Sequence, residues 1–272
     1  MNKRCVFIVH LSMAVLLVFF TTVQALTVSH TWDFSSTCYA NGPCNDAWEP
    51  VGNVRTAPSD SGLNVNIRAF SFPDPNGTGP SIAGWLGQYL SPGDPTKGGL
   101  GVTNSSGDGS HTVDNMGYAD YVVFEFSSPV TVTGYYMAYI VTDADSTWYV
   151  GDLAPGFDFT GLTLADVDAL GLTKGTNSWN STTGSNPSET VNAGVTGNYF
   201  ILAARLDSST SSDNDKFKIL MVTADQEVTD PVPEPGTLVL LASGLTVLGF
   251  VTRRRMKKAH AAGVAGGQGE SV

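Results

Sequence analysis

Three short clusters of acidic and amide residues are the part of this sequence best suited to chemistry. They are Asp114-Asn115, Asp143-Ala144-Asp145 and Asp213-Asn214-Asp215. Hard cations such as Ca²⁺ take carboxylate, amide and carbonyl oxygens as ligands, and an extended Asp-x-Asp points both carboxylates to one side. The clusters therefore predict a calcium site, with ligands drawn from Asp114, Asn115, Asp143, Asp145, Asp213 and Asp215. The alternative is that these residues only form turns, because each cluster adjoins a predicted strand and the full EF-hand spacing is absent.

Catalysis by a nucleophile has little support in the sequence. Between residues 26 and 230 the histidines are His30 and His111. His30 falls on the apolar face of a predicted strand, which favours packing over reactivity. His111 has Ser110 and Asp114 nearby, but serine is so abundant that any histidine would have one within reach. The G-x-S-x-G, H-E-x-x-H and P-loop patterns are absent, so no catalytic residue is predicted.

Tryptophan offers a second kind of binding chemistry. Trp85 and Trp179 lie in segments predicted to be loops, where an exposed indole ring can stack on a sugar. Trp32 alternates inward on a predicted strand and is expected in the core. Core packing is the alternative for the other two rings as well.

Two cysteines remain after the N-terminal segment. Cys38 and Cys44 are separated by Tyr39-Ala40-Asn41-Gly42-Pro43, and Asn-Gly forms tight turns that would bring the two thiols together. In an oxidising compartment this spacing predicts a small disulfide loop. A metal site is the alternative, but it lacks a second pair of cysteine or histidine ligands.

The N-terminus has the three parts of a signal peptide. Lys3 and Arg4 precede a mostly apolar run over residues 6–20, and Val23-Gln24-Ala25 has the small-x-small pattern of a cleavage site. We expect residues 1–25 to be removed on export by the Sec machinery. An uncleaved membrane anchor is the alternative.

The C-terminus reads as a second targeting segment. A Pro-rich stretch over residues 231–236 precedes an uncharged run over residues 237–252, which ends at Arg253, Arg254 and Arg255. Sixteen helical residues span about 24 Å, enough for a thin bilayer. The arginines would remain cytoplasmic, which places the Pro-rich stretch outside. The expected division is a sorting segment over residues 231–258 and a short cytoplasmic tail over residues 259–272.

This tripartite end resembles the PEP-CTERM sorting signal of exported proteins in Gram-negative bacteria. The resemblance rests on Val232-Pro233-Glu234-Pro235, the short apolar helix and the arginine cluster. It implies processing near Pro233, Glu234 and Pro235 by exosortase, a membrane transpeptidase, after a membrane-anchored intermediate. It also implies that the mature protein is located on the cell surface or in the extracellular matrix. The resemblance further implies a bacterium that produces exopolysaccharide and forms biofilm. Segments within residues 99–222 resemble the ectodomain of exosortase-dependent surface proteins, a group without an assigned activity.

The segment between the two ends is strongly acidic and reads as all-β. Of the 25 acidic residues only Glu234 and Glu270 lie outside residues 26–230, and seven of the 14 basic residues lie within that range, so it carries 23 acidic and seven basic residues, a net charge of −16. That charge argues against nucleic-acid binding and favours divalent cations. Period-two alternation, as in Leu63, Val65 and Ile67, predicts a single antiparallel β-sandwich domain of jelly-roll type. One short helix is predicted between an N-cap at Thr163 and Gly171.

The sequence thus predicts an exported, non-enzymatic protein at the cell surface or in the extracellular matrix, with a structural or adhesive role. Exopolysaccharide is an expected partner, and calcium is the candidate ion. A carbohydrate-binding module that uses loop aromatics and a secreted hydrolase are the alternatives.

Overall fold

The strands form where apolar and β-branched residues alternate with polar ones. In β3, for example, Val65 and Ile67 are buried while Asn64 and Asn66 are exposed. The strands are β1 (Leu26–Asp33), β2 (Arg55–Pro58), β3 (Asn64–Phe72), β4 (Ile82–Ala83), β5 (Trp85–Tyr89), β6 (Gly99–Thr103), β7 (Val113–Asp114), β8 (Ala119–Ala138), β9 (Ser146–Gly151), β10 (Thr173–Asn177), β11 (Ser188–Thr190), β12 (Thr196–Ala204) and β13 (Lys216–Val228).

The computed structural model describes eight stretches of the chain. They are residues 25–35, 51–89, 98–104, 111–141, 143–179, 187–206, 214–228 and 243–255. The chain divides into two units, one formed by Thr27–Val228 and the other by Met1–Leu26 together with Thr229–Val272.

The described strands join in one large, open antiparallel sheet. Its main path runs β10-β9-β12-β8-β13-β6-β5. Off this path, β1 and β7 pair with β13, β3 and β11 pair with β8, and β2 and β4 pair with β3. The prediction of an antiparallel all-β domain is confirmed.

The 20-residue strand β8 is long enough to pair with different strands along its length. Its first half pairs with β3 and β12, and its second half pairs with β13 and β11. Aromatic rings of the β1 segment and of β8 meet in a common core: Phe34, the residue after β1, lies 6.2 Å from Phe124 of β8, measured between ring centroids. Trp32 lies 4.9 Å from Phe126. β1, which pairs with β13, therefore shares one core with β8.

A second core lies on the opposite face of β8. Its largest side chains include Phe70, Tyr121, Phe159 and Tyr199. The segment after β9 covers this face, and the short helix Leu164–Asp168 buries Val167 against it. Every residue of β8 from Ala119 to Phe124 is buried, because this stretch has a core on both sides.

The short helix begins as the sequence predicts. Thr163 is its N-cap: the Asp166 amide donates to the Thr163 hydroxyl at 3.3 Å, and the Thr163 amide donates to the Asp166 carboxylate at 2.9 Å. These two bonds form a capping box, which satisfies amides that the first helical turn leaves without partners. Gly171 follows the helix with a φ of +77°, a conformation that suits glycine.

A second helix covers residues 243–255, and its side chains are exposed. Among the described residues, no helix is long and apolar enough to cross a membrane. The predicted span begins at residue 237, and residues 237–242 lie outside the described stretches.

Candidate cation centre

Three of the predicted calcium ligands meet in space. Asp143, Asp145 and Asp215 each offer a carboxylate oxygen, and these oxygens all lie within 4.8 Å of one another. Asp143 and Asp145 come directly before β9, and Asp215 comes directly before β13. A parallel bridge joins Asp143 to Asp215, and the Lys216 amide donates to the Asp143 carbonyl at 2.8 Å. Two sequence clusters separated by about 70 residues thus form one site.

Asp215 is the fully buried member of this group, with a relative exposure of 0%. Its carboxylate accepts the Asp145 amide at 2.8 Å and the side-chain amide of Asn115 at 2.7 Å. The side-chain Oδ1 of Asn115 in turn accepts the Asp215 backbone amide at 3.0 Å. Burial raises the pKa of Asp215 to about 7; the hydrogen bond from Asp145 opposes that rise, and the negative charges of Asp145 and Asp143 add to it. The described residues therefore give this carboxylate only neutral donors.

Asp145 is buried as well but has a cationic partner. Its carboxylate lies 2.7 Å from the Arg205 guanidinium and accepts the Trp179 amide at 2.7 Å. The Arg205 amide also donates to the Asp145 carbonyl at 3.1 Å. Arg205 was not predicted as part of the site. It follows β12 directly, and its sequence neighbours carry no sign of an acidic partner 60 residues away.

Of the remaining predicted ligands, one contacts the carboxylate group and one forms a turn. Asn115 belongs to the site through its bonds to Asp215. Asp114 accepts the Thr112 hydroxyl at 2.8 Å and the Met116 amide at 3.1 Å, as expected of an aspartate that forms a turn. It is not one of the three clustered carboxylates. Asp213 lies outside the described residues.

The two tryptophans proposed as sugar platforms differ in position: Trp179 follows β10 in a loop, as predicted, and Trp85 does not lie in a loop. Trp85 is the first residue of β5 rather than part of a loop, and it is 5% exposed. Its ring lies beside Gly87, where a Cβ would come within 2.6 Å of the indole, so the glycine that suggested a loop makes room for a packed ring. Trp179 is half-buried and packs against the main core. Trp85 therefore has no open face for a sugar.

The two histidines make packing contacts. His30 is buried, stacks on Trp32 with a centroid distance of 5.8 Å, and its ring nitrogens face Ser59 and Gln226 at 3.0 and 3.2 Å. The prediction that His30 packs is confirmed. His111 is hydrogen-bonded to the Thr103 hydroxyl and stacks on Tyr89.

The other predicted site residues belong to segments beyond the described stretches. These are Cys38 and Cys44 of the predicted disulfide, and Pro233, Glu234 and Pro235 of the sorting segment. Arg253, Arg254 and Arg255 are described, and they form the exposed C-terminal end of the helix over residues 243–255. Cations at this end of a helix complement its dipole.

Comparison with known families decides the nature of the C-terminal segment. Residues 231–255 match the family model described as the PEP-CTERM protein-sorting motif. The chain carries a PEP-CTERM sorting motif. The motif implies export, a membrane-anchored intermediate and processing by exosortase. Searches of curated proteins and of solved structures returned no match to this chain.

Proposed function

We propose that this chain is a non-enzymatic protein of the cell surface or extracellular matrix, with a structural or adhesive role in an exopolysaccharide setting. The observation that carries the proposal is the PEP-CTERM motif at residues 231–255, which follows directly on the acidic segment. A net charge of −16 over residues 26–230 keeps that segment soluble and limits its self-association once it is outside the cell. The antiparallel sheet, with a core on each face of β8, supplies a folded body for such a role.

The sorting half of the proposal is tested in a host that contains exosortase. Pro233→Ala combined with Pro235→Ala removes the rigid motif, and we expect the protein to accumulate unprocessed in the membrane fraction. Pro231→Ala, which changes a neighbouring proline outside Pro-Glu-Pro, is the matched control and should be processed normally. Immunoblots of membrane, surface and matrix fractions measure the outcome. Unchanged processing and display of the double variant would contradict the proposal.

We further infer that the candidate cation centre binds Ca²⁺. Calcium takes oxygen ligands at about 2.4 Å, so two ligands of one ion lie at most about 4.8 Å apart. The oxygens of Asp143, Asp145 and Asp215 meet this limit. A divalent ion would also offset the cost of keeping the Asp215 carboxylate buried beside two like charges, since its described partners are neutral.

Calcium binding is tested by thermal unfolding of the full chain with and without the ion. A ligand present at a hundred times its Kd stabilises the folded state by about 2.7 kcal/mol, so excess Ca²⁺ should raise the Tm of the wild type. Asp143→Asn removes one carboxylate at the more exposed side of the site and should abolish most of this rise. Glu227→Gln removes an exposed acid of β13 and should leave the rise intact. Equal responses of both variants would show that the ion binds elsewhere or only diffusely.

A further inference from the structure

A second cluster, remote in chemistry from the carboxylates, brings together four rings and one lysine. We call Trp85, Tyr89, His111, Tyr139 and Lys218 the aromatic–lysine cluster. Tyr89 stacks on His111 with a centroid distance of 5.0 Å, and the Trp85 ring lies 6.3 Å from Tyr89 and 5.8 Å from His111. The Lys218 ammonium lies 4.2 Å from the centroid of Tyr89 and 4.7 Å from that of Tyr139.

Two largely buried residues of the cluster, Lys218 and Trp85, carry donors for which the described residues provide no acceptor. Lys218 is 7% exposed, and within the described stretches its ammonium meets only the two tyrosine rings, with neither a carboxylate nor a hydrogen-bond acceptor. Burial lowers the pKa of Lys218 to about 8. The indole N–H of Trp85 is also buried and has no partner in that part of the chain. Buried charges without partners are costly, so a structure that retains one calls for a reason.

Lys174 provides a comparison, because its ammonium also lies over a tyrosine ring of the same sheet. Its ammonium lies 5.3 Å from the Tyr149 centroid, but it also donates to the Asp168 carboxylate at 2.9 Å. The absence of such a carboxylate beside Lys218, among the described residues, is therefore a property of this cluster and not of lysine–tyrosine contacts in general.

The backbone is strained at two positions of the cluster. His111 has a φ of +49° and Tyr139 a φ of +52°, and they are the only non-glycine residues of the described stretches with positive φ. Bulky side chains adopt this conformation only where the surrounding structure enforces it, and such positions concentrate at binding sites. The conformation leaves the Tyr139 ring 40% exposed above the Lys218 ammonium.

We propose that the aromatic–lysine cluster binds the carboxylate of an acidic sugar residue. Lys218 donates to the carboxylate, and the exposed ring of Tyr139 packs on the C–H face of the sugar. An ammonium without an acceptor selects an anion, while aromatic rings select a ligand that has an apolar ring face. Because the surrounding domain is acidic, recognition depends on this short contact and not on long-range attraction. The site is independent of the PEP-CTERM motif and of the candidate cation centre.

The experiment uses trigalacturonate as the probe and isothermal titration of the full chain as the measurement. We expect saturable binding of trigalacturonate, and no binding of its fully methyl-esterified form, which has the same rings without charge. Lys218→Met keeps the length of the side chain and removes the ammonium. It should weaken binding by about tenfold, the loss of one hydrogen bond to a charged group. Lys174→Met is the matched control and should bind as the wild type does.

A second variant separates the ring from the charge. Tyr139→Gly relieves the positive φ, so the variant should fold at least as stably as the wild type, and it should lose binding because the exposed ring is gone. Circular dichroism and Tm confirm that each variant is folded. No saturable binding of trigalacturonate, equal binding of the methyl ester, or unaltered binding by Lys218→Met would overturn the proposal. Sodium acetate that competes as strongly as trigalacturonate would overturn the assignment to a sugar.

Discussion

At the scale of single residues, Asp215 shows most directly what the fold does to an ionisable group. The carboxylate is fully buried, receives two neutral donors, and faces Asp143 and Asp145. Each of these contacts aligns the carboxylate, but none supplies a positive charge. The arrangement is therefore costly without a cation and favourable with one, which is the property expected of a metal ligand held in place before the metal arrives.

The elevated pKa of Asp215 predicts a particular pH dependence of stability. The folded-state pKa is about 7 and the ordinary value is 3.8, so between these pH values the folded state holds more protons than the unfolded state. The contribution of Asp215 to the free energy of unfolding therefore falls as the pH rises from about 4 to about 7 in metal-free buffer. Urea denaturation across this range, with a chelator present, measures the slope.

The comparison with Asp215→Asn isolates this contribution from the general repulsion of an acidic protein. The variant lacks the ionisable group, so its stability should fall less steeply with pH than that of the wild type, whatever its absolute stability. Excess Ca²⁺ should flatten the wild-type curve and leave the variant nearly unchanged. Parallel curves for the two proteins in chelator would refute the role assigned to the buried carboxylate.

The sequence predicts that acidic and amide residues form this site, but it does not predict which residues belong to it. Asp143, Asp145, Asp215 and Asn115 were found because Asp-x-Asp and Asp-Asn patterns precede or follow strands. Arg205 could not be found, since its partner is distant in the chain and only the pairing of β12 with β9 brings the two ends together. Asp114 has the same local pattern as its neighbours, and the hydrogen bonds to Thr112 and Met116 that occupy it appear only in the folded structure.

At the scale of elements, the local sequence predicts the short helix but not strand β5. The short helix is specified by Thr163, Asp166 and Gly171, all within one stretch of nine residues, so the sequence alone predicts where it begins; it ends at Asp168, before Gly171. In contrast, β5 contains Gly87 and pairs with the glycine-containing β6, so its sequence resembles a loop. The sequence therefore places Trp85 in a loop, with an exposed ring or a packed one as alternatives, whereas pairing of the two strands buries it.

The capping box provides a prediction at this scale. Thr163→Ala removes the hydroxyl that accepts the Asp166 amide and should lower the free energy of unfolding by about 1 kcal/mol, the usual cost of a lost N-cap. The helix covers the second core, so the loss should be seen in global denaturation as well as in local hydrogen exchange. Thr163→Ser retains the hydroxyl and serves as the control. A loss of equal size in the serine variant would assign the effect to the methyl group and not to the cap.

At the scale of the whole molecule, the negative charge lies in the central segment and a cluster of positive charge lies near the C-terminus. Residues 26–230 carry the net charge of −16, while the C-terminal segment ends in Arg253, Arg254 and Arg255. An acidic body suits a protein that is exported and must remain soluble, and a basic end suits a segment retained on the cytoplasmic side of a membrane. The averaged charge of −11 for the 272-residue chain hides both features.

The two proposed binding sites suit different components of one environment. The carboxylates of the candidate cation centre suit a divalent ion, and Lys218 with Tyr139 suits an anionic sugar. The proposed exopolysaccharide setting would supply both ligands, because calcium binds the carboxylates of acidic sugars as it binds those of proteins. A protein delivered to such a matrix would contact its ions through one site and its polymer through the other, consistent with the structural or adhesive role that we propose.

The most direct test of the central claim is the mass of the mature C-terminus. We would isolate the protein from the surface and matrix fractions of cells that contain exosortase, and analyse its C-terminal peptide by mass spectrometry. The account predicts a chain that ends within or next to Pro233-Glu234-Pro235, with no peptide from residues 243–255. A surface-located chain that retains residues 243–272 would contradict sorting through the PEP-CTERM motif.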